Sequence, residues 1–84
     1  MIDMHDYSRI PKHMRDSLDL YVSERIQPGG FLTALLENNL AQAVGRADHI
    51  NIELIPIYCS YMYNEMPSNS WGSPEIVTKY LGGE

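Results

Sequence analysis

The stretch LENNLAQAVGRADHINIELIPIYCSY, residues 36–61, places Leu36, Leu40, Ala43, Ala47, Ile50, Leu54, Ile57 and Tyr61 at alternating steps of four and three. On an α-helix that spacing sets them along one stripe. The middle of the chain is therefore predicted to be helical and to bury one side, against the rest of this chain or against a second copy. A strand pattern competes, because Ile50, Ile52 and Leu54 alternate with Asn51 and Glu53 and the residues up to Tyr63 are rich in β-formers. Helix is preferred because the stripe extends beyond that window and because Pro56 is awkward in a paired central strand. A proline costs about 3 kcal/mol inside a helix, so a kink or a new helix is expected near Pro56, with Asp48 as the cap of the segment.

Outward from this stretch the signals are also helical. Ile10-Pro11 starts a first helix whose apolar face is Met14, Leu18, Tyr21, Val22 and Ile26, and Gln27-Pro28-Gly29-Gly30 is expected to end it. Phe31, Leu32, Leu35 and Leu36 form a second apolar face, after which Asn38-Asn39 permits either a break, with Asn39 as a cap, or a continuous helix. The last element has the plainest start, with Ser73 as N-cap, Pro74 at the first helical position and Glu75 in the first turn. Ile76, Val77, Tyr80 and Leu81 are its apolar face, and Gly82-Gly83 ends it. The expected fold is all-α, a small helical bundle of three to five helices in one domain over 1–84, with residues 1–8 as a loosely held arm.

At 84 residues the chain buries only about 60 to 65% of the surface its unfolded form exposes, so oligomerisation is a natural way to complete its core. Its net charge of −5 repels nucleic acid, which makes direct nucleic-acid binding an unfavourable reading and a basic or neutral partner a better one. The single cysteine, Cys59, rules out an internal disulfide and multi-thiolate metal sites, and is expected to be a small buried hydrophobe. No stretch approaches the ~20 apolar residues of a membrane span, and the N-terminus lacks the pattern of a signal peptide. The protein is expected to be soluble, in a reducing cytoplasm, with no membrane partner.

No catalytic, metal or phosphate-binding motif is present, so a non-enzymatic protein without a cofactor is expected. Arg46, Asp48, His49 and Asn51 form the most polar concentration near the centre, a set able to bind an anion or perform acid–base work, although a structural role explains them better; Arg46, Asp48 and Asn51 are the expected members of any buried polar network. His5, His13 and His49 with Asp6 match no metal-ligand spacing. Tyr58, Tyr61, Tyr63 and Trp71 concentrate aromatic surface in the last third, and helical spacing requires at least one of the three tyrosines to be exposed. Tyr58, Tyr63 and Trp71 join the polar group as candidate binding residues, and Trp71 is placed to tuck its loop onto the bundle.

Ile10-Pro11-Lys12-His13-Met14, Pro28-Gly29-Gly30-Phe31-Leu32, Glu37-Asn38-Asn39-Leu40, Gly45-Arg46-Ala47-Asp48-His49-Ile50-Asn51 and Trp71-Gly72-Ser73-Pro74 together resemble a group of small, functionally unassigned proteins of tailed bacteriophages and prophages. The resemblance covers residues 9–81 and rests on spacing and dipeptides rather than on an enzyme signature. Short acidic phage proteins of this kind often modulate host machinery, and some inhibit bacterial defence systems such as CRISPR–Cas. The resemblance implies a phage source; small size, acidity, the lack of a catalytic constellation and the aromatic concentration add the expectation of a binding protein with a host protein as partner, and the small core adds a homodimer. The alternatives are a module that sequesters a small ligand or nucleotide, with Arg46 and His49 on phosphate, and a small phage regulatory protein.

Overall fold

The computed structural model describes residues 6–82, and among these the secondary structure is entirely helical: a 3₁₀ turn and five α-helices. The expected arm lies partly outside the described residues. Of its remainder, Tyr7 opens the 3₁₀ turn Tyr7–Arg9 and sets its ring edge-on to Tyr61 at 5.2 Å, so this end is tied to the bundle by an aromatic contact.

Helix α1 spans Lys12–Glu24 behind Pro11 and buries Leu18 and Tyr21. It stops short of the Pro-Gly-Gly turn because Arg25 adopts the left-handed conformation (φ 57°) and returns its N–H to the Tyr21 carbonyl. Ile26, expected on the apolar face, is therefore 51% exposed. The cause is tertiary: the Arg25 guanidinium lies 3.7 Å from the centre of the Tyr80 ring and donates to the Tyr80 carbonyl at 2.8 Å, which clamps the end of α1 to the end of α5.

Helix α2, Gly30–Leu36, is the central element, with Phe31, Leu32, Ala34, Leu35 and Leu36 all buried. The chain then breaks at Asn38 (φ 60°), and Asn39 caps α3 (Leu40–Arg46) by accepting a hydrogen bond from the Gln42 N–H at 3.2 Å. Helix α4, Asn51–Glu65, settles the contested segment as helix. Asp48 caps its start, its carboxylate accepting from the N–H groups of Ile50 and Asn51 at 3.0 and 2.7 Å. Pro56 lies inside α4 and does not open a new helix. The donor it lacks would have served the carbonyl of Ile52, an exposed residue of the first turn.

The single stripe read from residues 36–61 is thus divided among three helices. Leu36, Ala43, Leu54 and Ile57 are buried as expected, but Leu40 and Ile50 are 58% and 52% exposed because the breaks at Asn38 and before Asn51 rotate them outward. Cys59 also departs from expectation: it is exposed. It shares the outer side of α4 with Pro56, while Leu54, Ile57, Tyr58 and Met62 take the core side.

The loop after α4 is held from three directions. Tyr21 donates its hydroxyl to the Ser70 carbonyl at 2.6 Å, the Ser70 hydroxyl donates to the Pro67 carbonyl, and the Gly72 N–H donates to the Leu36 carbonyl at 2.7 Å. Gly72 has φ 128°, a conformation costly for any residue with a Cβ. Helix α5, Pro74–Tyr80, starts at Ser73 as the sequence predicts, the Ser73 hydroxyl accepting from the Ile76 N–H, and buries Val77 and Tyr80. The radius of gyration, 12.0 Å, matches the roughly 12 Å of a folded chain this long, so one copy closes a core by itself. No helix among the described residues is long and apolar enough to cross a membrane.

Candidate functional site

Helix α4 is apolar on nearly every side. From Ile52 to Tyr63 its one charged residue is Glu53. A helix of this kind is ordinarily enclosed, yet Ile52, Pro56, Cys59 and Tyr63, spaced four, three and four apart, line an exposed face, with Tyr63 78% exposed. Leu40 and Val44 of α3 are also exposed.

A groove of about 610 Å³ lies between the outer side of α4 and the turn that joins α2 to α3; Ile52 and Val44 do not line it. Leu40 and the Asn38-Asn39 turn form one wall, and Pro56, Cys59 and Tyr63 form the other. Leu35, Met62 and Trp71 also line it, and no residue of its lining is Asp, Glu, Lys, Arg or His. The Trp71 ring is half-buried, and its indole N–H is buried without a hydrogen-bond partner. Leaving such a donor unpaired costs roughly 1–3 kcal/mol.

The groove supplies contact surface and little reactivity. Cys59 reaches the surface, but the neighbouring side chains partly desolvate its sulfur and push the thiol above its ordinary value, which depletes the thiolate that would be the nucleophile. Ser70, the one fully buried serine, has its hydroxyl committed to the Pro67 carbonyl.

The residues singled out from sequence fall into three places. Tyr63 and Trp71 meet in the groove. Asp48, Asn51 and Tyr58 form a polar chain at the start of α4: Asp48 accepts from the Asn51 N–H, and the buried Asn51 side-chain oxygen accepts from the Tyr58 hydroxyl at 2.7 Å. Tyr58 also meets Phe31 edge-on at 5.4 Å, and burial, with the Asp48 carboxylate second, holds its phenol well above the usual tyrosine value. Only part of the network expected of Arg46, Asp48 and Asn51 forms: Asn51 and Tyr58 are buried, Asp48 is exposed, and Arg46 is not part of it. Arg46 is exposed, donates from Nε to the Gln42 side chain at 3.2 Å and lies against Gly30, in a separate polar cleft that also holds Glu37. His49 is exposed in the connection between α3 and α4 and joins neither group.

No group of three His, Cys, Asp or Glu among the described residues is placed to hold a metal ion, and His5 lies outside them. The sequence reading missed Leu40, Val44, Ile52, Pro56 and Cys59. The available signal was the lack of a polar side on residues 52–63, more apolar surface than one small core accommodates. No family model, curated protein or solved structure matches the chain.

Proposed function

We propose that this chain is a non-enzymatic binding protein whose adhesive surface is the groove between α4 and the turn joining α2 to α3, and that it acts by occupying a surface of a host protein. The observation that carries the reading is the exposed apolar face of α4, Ile52, Pro56, Cys59 and Tyr63, beside a groove without charged residues. Exposed apolar patches of this kind mark interaction sites. The shape suits an amphipathic helix or an apolar loop as the docked segment. That the target is a bacterial host component, such as a CRISPR–Cas defence protein, follows from the resemblance to phage proteins, and a cytoplasmic site of action follows from the same source.

The test is capture from bacterial lysate at physiological salt by the immobilised chain, with Leu40→Lys as the comparison. A protein partner retained by the native chain and lost by the variant supports the reading; failure to retain any partner overturns it. A second reading, sequestration of a small molecule, is favoured by the groove volume of about 610 Å³, within the roughly 300–1,000 Å³ of ligand pockets. Its ligand would be an uncharged apolar compound rather than a nucleotide, because Arg46 lines a different cleft and shares it with the Glu37 carboxylate.

A further inference from the structure

We propose that the cleft between the ends of α1 and α5 is a second binding site, which takes a phosphate monoester carried on a small apolar group. It is separate from the uncharged groove and stands whether or not that groove binds a partner.

The cleft has a volume of about 490 Å³ and is lined by Arg25, Asn69, Ile76, Lys79 and Tyr80. That volume falls within the roughly 300–1,000 Å³ of ligand pockets. Charge gives the first argument for its occupant. The chain holds 11 acidic residues against 6 Lys and Arg, yet two of those cations, Arg25 and Lys79, meet around this one cleft and no Asp or Glu lines it. Among the described residues Lys79 forms no ion pair, not even with Glu75 one turn earlier. Two positive charges match a phosphate monoester, which carries about −1.5 to −2 at neutral pH, better than they match a single carboxylate.

Preorganisation is the second argument. The Tyr80 hydroxyl donates to the Val22 carbonyl at 2.7 Å and its ring packs on Tyr21 at 5.1 Å, so the ring beneath Arg25 is held in place. Arg25 stacks on that ring and donates from Nη1 to the Tyr80 carbonyl, which leaves most of its N–H fork for an oxyanion. Arg25 also keeps a left-handed backbone (φ 57°) that glycine would adopt without strain. Retained strain of this sort clusters at ligand clamps.

Asn69 completes the donor set. It sits in the turn closed by the Ser70 N–H and the Pro67 carbonyl at 3.0 Å, and its carboxamide has no hydrogen-bond partner among the described residues. Arg25, Asn69 and Lys79 thus bring donors from three separate segments, while Ile76, 36% exposed, offers an apolar wall to the ester group.

Isothermal titration calorimetry of the full chain with phenyl phosphate and with inorganic phosphate tests this, alongside Lys79→Gln, Asn69→Ala and a charge control, Lys12→Gln, at the opposite end of α1. Phenyl phosphate is expected to bind in the millimolar range or tighter, and more tightly than inorganic phosphate. Lys79→Gln and Asn69→Ala should each weaken it roughly tenfold, as loss of a hydrogen bond to a charged group does. Lys12→Gln lies beyond a Debye length at physiological salt and should change affinity by less than about twofold. Amide shifts in ¹H–¹⁵N spectra should concentrate at residues 25, 69, 76 and 79.

A chain that takes up no phenyl phosphate at tens of millimolar overturns the inference. So does binding that Lys12→Gln weakens as much as Lys79→Gln, since that marks attraction to charge in general. Phenyl phosphate bound by Leu40→Lys but not by Lys79→Gln supports it and separates this cleft from the groove.

Discussion

The hydroxyl of Tyr21 in α1 donates to the main-chain carbonyl of Ser70, 49 residues later, at 2.6 Å. Both residues are fully buried, and Ser70 immediately precedes Trp71, so a bond at the far side of the core fixes the loop that forms part of the groove. Replacing Tyr21 with Phe leaves a buried carbonyl unpaired and should cost about 1–3 kcal/mol in urea unfolding. Trp71 fluorescence should report a more mobile ring in the same variant.

Two buried tyrosines make stability sensitive to alkali. Burial first, then the neighbouring Tyr80, pushes Tyr21 up to about 12 from its ordinary 10.0, and Tyr58 is raised further by burial and Asp48. The folded state therefore holds these protons at pH values where the unfolded chain has released them. Stability from this source is fully present below pH 10.0 and falls as pH rises towards 12. The slope reaches about 1.4 kcal/mol per pH unit for each tyrosine. Urea titrations between neutral pH and that range should show it, and Tyr58→Phe should reduce the slope.

The Asp48 carboxylate accepts from the N–H of Ile50, just before α4, and from that of Asn51, its first residue. Asp48→Ala should cost roughly 0.5–2 kcal/mol, whereas Asp48→Asn, which keeps an acceptor oxygen, should cost far less. Thermal melts of the pair distinguish loss of the cap from loss of the charge.

Arg25 occupies a left-handed position while its side chain clamps Tyr80. Arg25→Ala removes the clamp and keeps the backbone penalty. Arg25→Gly removes both and should be the more stable of the two by roughly 1 kcal/mol. Equal unfolding midpoints would show that the left-handed turn carries no penalty.

Trp71 carries a buried N–H without a partner. Trp71→Phe should stay within about 1 kcal/mol of the native chain, since removing the unpaired donor offsets the smaller ring, while Trp71→Ala should cost about 3–5 kcal/mol. Both are read by chemical denaturation.

Local chemistry made much of the fold legible. Ser73-Pro74-Glu75 marked the start of α5, Asp48 marked the start of the α4 segment, and four-three spacing identified residues 51–61 as helix despite their β-forming composition, while Asn38-Asn39 left a break and a continuous helix equally open. The groove was far less legible. A stripe drawn through residues 36–61 assumes one continuous axis, and the left-handed Asn38 together with the new start at Asn51 turned Leu40 and Ile50 out of it. Cys59 was misplaced for the related reason that α4 has apolar residues on both sides, so hydropathy alone does not say which side meets the core.

The sequence by itself determined the helical class, the helix starts and the exposure of one tyrosine among Tyr58, Tyr61 and Tyr63, because caps, proline positions and periodicity act over a single turn of backbone. Tertiary structure alone decided where α1 ends, which flank of α4 is enclosed and that Leu40, Tyr63 and Trp71 share a groove. Those outcomes depend on contacts such as Arg25 with Tyr80 and Tyr21 with Ser70, between residues about 50 positions apart, whose energies no local pattern encodes.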